Sequence, residues 1–267
     1  MPLRVGFDLD GTVADMYSAL HREAVKLFGE EVLRKAAYKE KKQPGAGNRE
    51  PGTGKTDPGT AAAAAAKTLV NKAKDESAKP DDDDAPAMQE LHLTARQQMQ
   101  LWEHVKKIEN FWTTLSELEP GIISRIAKTS LERRWEVIFL TTRPSTNGEL
   151  VQLQSQRWLE AHGFQYPSVY VVQRSRGKIA DALQLDAFVD DRPENCLDVV
   201  LESQAGAILV WRGHKEAVPG SARRMGIAVV PTVAECLEAI IKIEQPDERG
   251  VLDRLRSLFG LRTSRRA

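Results

Sequence analysis

Three stretches of the chain set acidic or hydroxyl side chains directly after short apolar runs, and a lysine opens the helix predicted after another such run. They are Phe7-Asp8-Leu9-Asp10-Gly11-Thr12, then Thr141-Thr142-Arg143-Pro144 behind residues 137–140, then Lys178, then Asp190-Asp191-Arg192-Pro193 behind residues 187–189. If the apolar runs are strands of one parallel sheet, these side chains meet at one edge of it. Carboxylates that close cannot all stay ionised unless a cation joins them or some take up protons. A hard divalent ion with oxygen ligands resolves the conflict, and Mg2+ suits a site with few carboxylates and several retained waters. Phosphoryl transfer needs an in-line nucleophile, neutralised charge on the equatorial oxygens and a proton donor for the leaving group. Asp8 can attack to form an aspartyl-phosphate, and Asp10 can protonate the leaving alcohol and then activate water. Thr141 can hydrogen-bond a phosphoryl oxygen and Lys178 can balance charge on phosphate and nucleophile. Singly these are weak signs, since Asp-x-Asp-Gly is often a turn and an Asp pair before Arg-Pro can cap a helix. In conjunction and in this order they point to phosphate-ester hydrolysis.

The elements that must position them are legible as alternating periods. Strands are predicted at residues 3–7, 135–140, 168–172, 187–189, 207–210 and 227–229. Helices are predicted at 15–38, 91–108, 121–133, 150–161, 178–183, 193–201 and 233–243. Apolar strands alternating with helices imply βα crossovers and a parallel sheet, an α/β Rossmann-like architecture flanked by helices. Such sheets carry their chemistry at the carboxyl ends of the strands. The composition changes over 41–87, which hold the alanine run Ala61 to Ala66, the aspartates Asp81 to Asp84 and almost no large apolar residues. A segment so poor in buriable surface is expected to be a disordered insertion. The core is assigned to 1–14 and 120–245, and a helix with a basic tail to 246–267.

Composition narrows the partners. The chain has 267 residues, and 38 Lys and Arg balance 38 Asp and Glu, so no global field draws in a nucleic-acid polymer or a membrane surface. Two cysteines, Cys196 and Cys236, are too few for a disulfide framework and read as reduced thiols. No apolar run approaches the roughly 18 residues of a membrane span, and Met1-Pro2-Leu3-Arg4 lacks an export-type apolar region. A cytoplasmic protein is expected, its oligomeric state left open. Gly52-Thr53-Gly54-Lys55-Thr56 imitates a phosphate-binding loop, but Arg49 stands where the first glycine belongs. His21, His92, His104, His162 and His214 lack zinc-site spacing.

The quoted stretches resemble the four motifs of the haloacid dehalogenase-like hydrolases: Phe7 to Thr12, Ile138-Phe139-Leu140-Thr141, Lys178, and Val189-Asp190-Asp191. The resemblance implies Asp8 as nucleophile, Asp10 as acid/base, Thr141 as phosphate anchor and Lys178 as charge stabiliser. It implies Mg2+ held by the Asp8 side chain, the Asp10 backbone carbonyl and Asp191, with Asp190 behind. Glu109-Asn110-Phe111-Trp112, Leu118-Glu119-Pro120-Gly121, Thr-Thr-Arg-Pro and Asp-Asp-Arg-Pro look like the 5'(3')-deoxyribonucleotidase group. That likeness implies a small helical cap after the first strand, over 15–40 and 88–119, and nucleoside monophosphates as substrates. It implies that Thr142 and Arg176 contact the phosphate or its surroundings. Phe111 or Trp112 stacks on a base, or else packs between cap and sheet, and Arg143 reaches the phosphate, or else shapes the turn before Pro144. A sugar or other small phosphate ester remains an alternative substrate, and a non-catalytic interaction protein an alternative role.

Overall fold

The computed structural model describes residues 2–34, 91–172, 175–243 and 258–259. The insertion expected at 41–87, the inner parts of the expected cap at 35–40 and 88–90, and nearly all of the tail at 246–267 lie outside the described residues.

Six strands form one parallel sheet: β1 (Arg4–Asp8), β2 (Glu136–Thr141), β3 (Ser168–Val171), β4 (Ala187–Asp190), β5 (Gly206–Val210) and β6 (Ala228–Val230), in the order β3-β2-β1-β4-β5-β6. Each lies within a residue or two of its predicted position. Helices cover both faces, so the strands are rich in Val, Ile and Phe rather than alternating, and β4 and β5 are buried along their whole length. Asp8 pairs with Leu140 of β2, and Phe7 with Val189 of β4, so the carboxyl ends of these three strands lie at one level. Strand order reverses between β1 and β4, and ligands of open α/β sheets bind in the crevice at such a switch point.

Among the described residues the helices include α1 (Met16–Phe28), α2 (Ala95–Val105), α3 (Ile122–Arg133), α4 (Val151–Ala161), α5 (Arg176–Ala182), α6 (Pro193–Glu202), α7 (Gly220–Arg224) and α8 (Val233–Ile243), and a 3-10 turn lies at Phe111–Thr114. The sequence reading missed α7 and the 3-10 turn, which are too short to show a hydrophobic period. Local chemistry sets the starts. The Asp15 carboxylate accepts the Ser18 N–H at 2.9 Å, and Thr94 with Gln97 forms a capping box ahead of α2. Gly29, at φ 78°, breaks the helix expected over 15–38; helical backbone resumes over 30–34, and 35–38 lie outside the described residues.

Leu20 and Ala24 of α1 and Leu101 and Val105 of α2 share one core with Phe7 and Phe139 of the sheet. Full burial of each large side chain there contributes roughly 1.5–3 kcal/mol. The helices that follow β1 thus share a core with the sheet. Among the described residues no helix is long and apolar enough to cross a membrane.

Candidate active site

The chain leaves β1 through a tight turn. Val13 and Ala14 both donate N–H to the Leu9 carbonyl, at 2.9 and 2.8 Å, and Gly11 donates to Ala14 at 3.0 Å. Gly11 has φ 84°, and a Cβ there would run into the Asp191 carboxylate, so only glycine lets the turn close against β4. Arg212 braces the turn from outside, donating to the carbonyls of Gly11 (2.7 Å) and Thr12 (2.9 Å) and to Glu119 (2.8 Å).

Asp8 is buried at 5% exposure. Its Oδ1 accepts from Arg176 Nη2 at 2.9 Å, and the other terminal nitrogen of Arg176, Nη1, has no hydrogen-bond partner among the described residues, the residue being 4% exposed. From β4, Asp190 accepts the Arg192 backbone N–H (2.8 Å) and the Asn195 side-chain amide (3.0 Å), while Asp191 accepts the Thr12 hydroxyl (3.0 Å). Oxygens of Asp8, Asp190 and Asp191 all lie within 4.8 Å of one another.

The charge of this trio is under-compensated. Burial first, then Asp190, push the Asp8 carboxyl well above the usual range against the pull of Arg176, and Asp191 and Asp10 add to the rise. Burial lifts Asp190 to about 6 despite Arg176 and its N–H donors. Burial and the Asp190 charge lift Asp191 to about 7. Three hard oxygen donors, with only Arg176 donating a side-chain guanidinium hydrogen bond to them among the described residues, are the kind of donor set a divalent cation such as Mg2+ takes.

Asp10 has partners of its own. Arg143 Nε approaches both of its carboxylate oxygens, at 3.0 and 2.8 Å, and Arg143 Nη2 donates to Oδ1 at 2.7 Å. The Thr141 hydroxyl adds a donor to Oδ2 at 3.0 Å. Arg143 is locked in turn: Nη1 donates to Ser155 Oγ at 3.0 Å, and the guanidinium carbon lies 5.0 Å from the Trp112 ring and 5.8 Å from the Trp158 ring.

A cavity of about 720 Å³ opens over Asp8, Asp10, Asp191, Arg176 and Thr142. Several expectations need correction against it. Lys178 is exposed and off the cavity wall, and Arg176 occupies the place beside Asp8. The two lie two residues apart on α5, about 200° around the axis, so they cannot face the same way. Thr141 is buried and gives its hydroxyl to Asp10, which leaves Thr142 as the member of the pair on the wall. Arg143 is off the cavity wall, its guanidinium being held by Asp10 and Ser155. Phe111 and Trp112 are in the core at 1% and 0% exposure, ring centroids 5.1 Å apart, and the Trp112 indole N–H donates to the Pro144 carbonyl. Neither leaves a face for a base. The sequence reading overlooked Tyr17, Asn195, Trp211 and Arg212, all on the wall. Applied to β5, the strand-end rule that singled out Asp8 and Asp190 points straight at Trp211 and Arg212.

No protein-family model matches this chain, and no curated protein matches it. Solved structures with a similar chain path include a haloacid dehalogenase-like family hydrolase from Xanthomonas campestris, 14% identical, covering 97% of this chain and 98% of that one, with a TM-score of 0.42. A haloacid dehalogenase-like hydrolase from Streptococcus pneumoniae is 15% identical over 89% of this chain and 97% of its own, TM-score 0.43. A HAD family hydrolase from Deinococcus radiodurans R1, solved with bound phosphate and sodium, is 15% identical over 90% and 95%, TM-score 0.43. These likenesses concern chain path alone.

Proposed function

We propose that this chain is a phosphomonoesterase of the haloacid dehalogenase-like type, with Asp8 as nucleophile and nucleoside monophosphates as substrates. One observation carries the reading: a buried carboxylate, Asp8, lies on a cavity floor between the Arg176 guanidinium and two further carboxylates. An Asp8 oxygen attacks phosphorus, and the new Asp8–phosphoryl bond forms as the ester P–O bond breaks. Asp10, entering the step protonated, gives its proton to the departing oxygen and regains one from the water that hydrolyses the aspartyl-phosphate and restores Asp8. Arg176 Nη1, which has no hydrogen-bond partner among the described residues, can grip a phosphoryl oxygen. The Thr142 hydroxyl is on the same wall. Asp8 and Asp191, with Asp190 behind and the Asp10 carbonyl suggested by the motif, would hold Mg2+, which supplies charge neutralisation on the phosphoryl oxygens. Arg143 and Thr141 orient Asp10 rather than touch substrate. The free, buried thiols of Cys196 and Cys236 support a reducing, cytoplasmic setting.

The test is phosphate release from a panel of monoesters with and without Mg2+. Asp8→Asn should bring release to background while the fold persists. Retained turnover in that variant, or no turnover of any ester by the wild type with Mg2+, would remove the proposal.

A further inference from the structure

The cavity is much larger than a phosphate requires. At about 720 Å³ it falls among sites that enclose whole small ligands, roughly 300–1,000 Å³, so most of it is left to the leaving group. Two aromatic side chains from different elements share its wall. Tyr17 is the second residue of α1, and Trp211 directly follows β5. Neither is buried in the core, Tyr17 being 36% exposed and Trp211 half-buried.

Both rings are held in place. Tyr17 lies against His21 one turn along α1, ring centroids 6.0 Å apart. The Trp211 indole N–H donates to the His214 carbonyl at 3.0 Å, and Gly213 lies so close beneath that a Cβ there would meet Nε1 at 3.2 Å. Pro219 and Leu118 add apolar wall, and Asn195 adds an amide able to both donate and accept. Pre-set rings beside apolar wall and an amide suit a flat heteroaromatic group better than a sugar, which asks for many hydroxyl partners.

We infer that Tyr17 and Trp211 are the specificity-determining residues of this site, stacking on the planar base of a nucleoside monophosphate whose phosphate sits at Asp8. The assignment rests on the Asp8 chemistry proposed above and replaces Phe111 and Trp112 as the aromatic platform.

The experiment compares kcat/KM for deoxyguanosine and deoxythymidine monophosphates with kcat/KM for glycerol phosphate, using the full chain with Mg2+. Tyr17→Ala should lower the nucleotide-to-glycerol-phosphate ratio about tenfold, mostly through KM, as expected for losing one base–aromatic stack. Tyr17→Phe, which keeps the ring, should hold the ratio within about twofold of wild type by the same stacking argument. Trp211→Leu, verified as folded by circular dichroism, should act like Tyr17→Ala. Tyr166→Ala is the control, since that residue is 91% exposed and off the cavity wall. An unchanged ratio in both Tyr17→Ala and Trp211→Leu overturns the inference, and so does a wild type that prefers glycerol phosphate. Calorimetric titration with deoxyguanosine monophosphate separates this failure from failure of the hydrolase reading. A wild type that binds it without turnover, and binds it more weakly after Tyr17→Ala, refutes the chemistry alone. Absent binding, or binding that Tyr17→Ala does not weaken, refutes the ring assignment.

Discussion

Replacing Asp191 by asparagine removes one negative charge from the carboxylate trio and leaves an amide oxygen that can still accept the Thr12 hydroxyl. The Asp191 carboxyl is lifted to about 7 from an ordinary 3.8, by burial first and then by the Asp190 charge. Between those two pH values the folded chain holds a proton that the unfolded chain has lost. Stability of the metal-free protein therefore falls as pH rises through that window and levels off above it. At about 1.4 kcal/mol per pH unit the gap sets a ceiling of roughly 4 kcal/mol. Asp191 is only partly buried, and water in the cavity screens it, so about half that value, ~2 kcal/mol, is expected at pH 8. For a domain of this size that corresponds to a rise of about 4–8 °C in Tm.

The assay is thermal melting of wild type and Asp191→Asn in EDTA at pH 8 and again near the ordinary carboxylate pKa. The gain should appear at pH 8 and nearly vanish in acid. Magnesium added at pH 8 should raise the wild-type Tm and leave that of the variant in place, because only a folded chain with its ligands intact gains from the ion. A variant that melts at or below wild type at pH 8 in EDTA would refute the charge reasoning. So would a gain of equal size at both pH values.

Two further outcomes follow from the cations. Arg176→Met should lower phosphate release about 10²–10³-fold, the usual effect of removing one preorganised donor, while Lys178→Met should stay within about twofold of wild type on the same argument. The reverse order in a phosphate-release assay would contradict the placement of both residues. Arg143→Met strands Asp10 beside Thr141 and empties a guanidinium site whose side chain is 0% exposed. Removing one partner of a buried pair destabilises by roughly 3–5 kcal/mol, read as a lower urea midpoint. A change under about 1 kcal/mol would show that the clamp adds little beyond its hydrophobic stem.

Much of the sheet was legible because a strand buried on both faces must be an unbroken apolar run, and each run ended where its polar residues began. Asp8, Asp190 and Asp191 could be brought to one edge on that basis alone, since parallel strands joined by right-handed crossovers put all their carboxyl ends on the same side. Residue types and spacing thus determined the α/β class and the acidic edge. Facing was another matter. Arg176 and Lys178 are both basic and both open α5, a helix of seven residues too short for a hydrophobic period to fix its phase. Only packing against the sheet turned one inward and the other to solvent. Arg143 found Asp10 rather than a phosphate because α4 supplied Ser155 and Trp158 around it, contacts more than ten residues away in the chain. Phe111 and Trp112 went to the core, and Tyr17 and Trp211 to the cavity, for the same reason. An aromatic ring is apolar enough to be buried and polarisable enough to bind, and which of these it does depends on where neighbouring elements leave space.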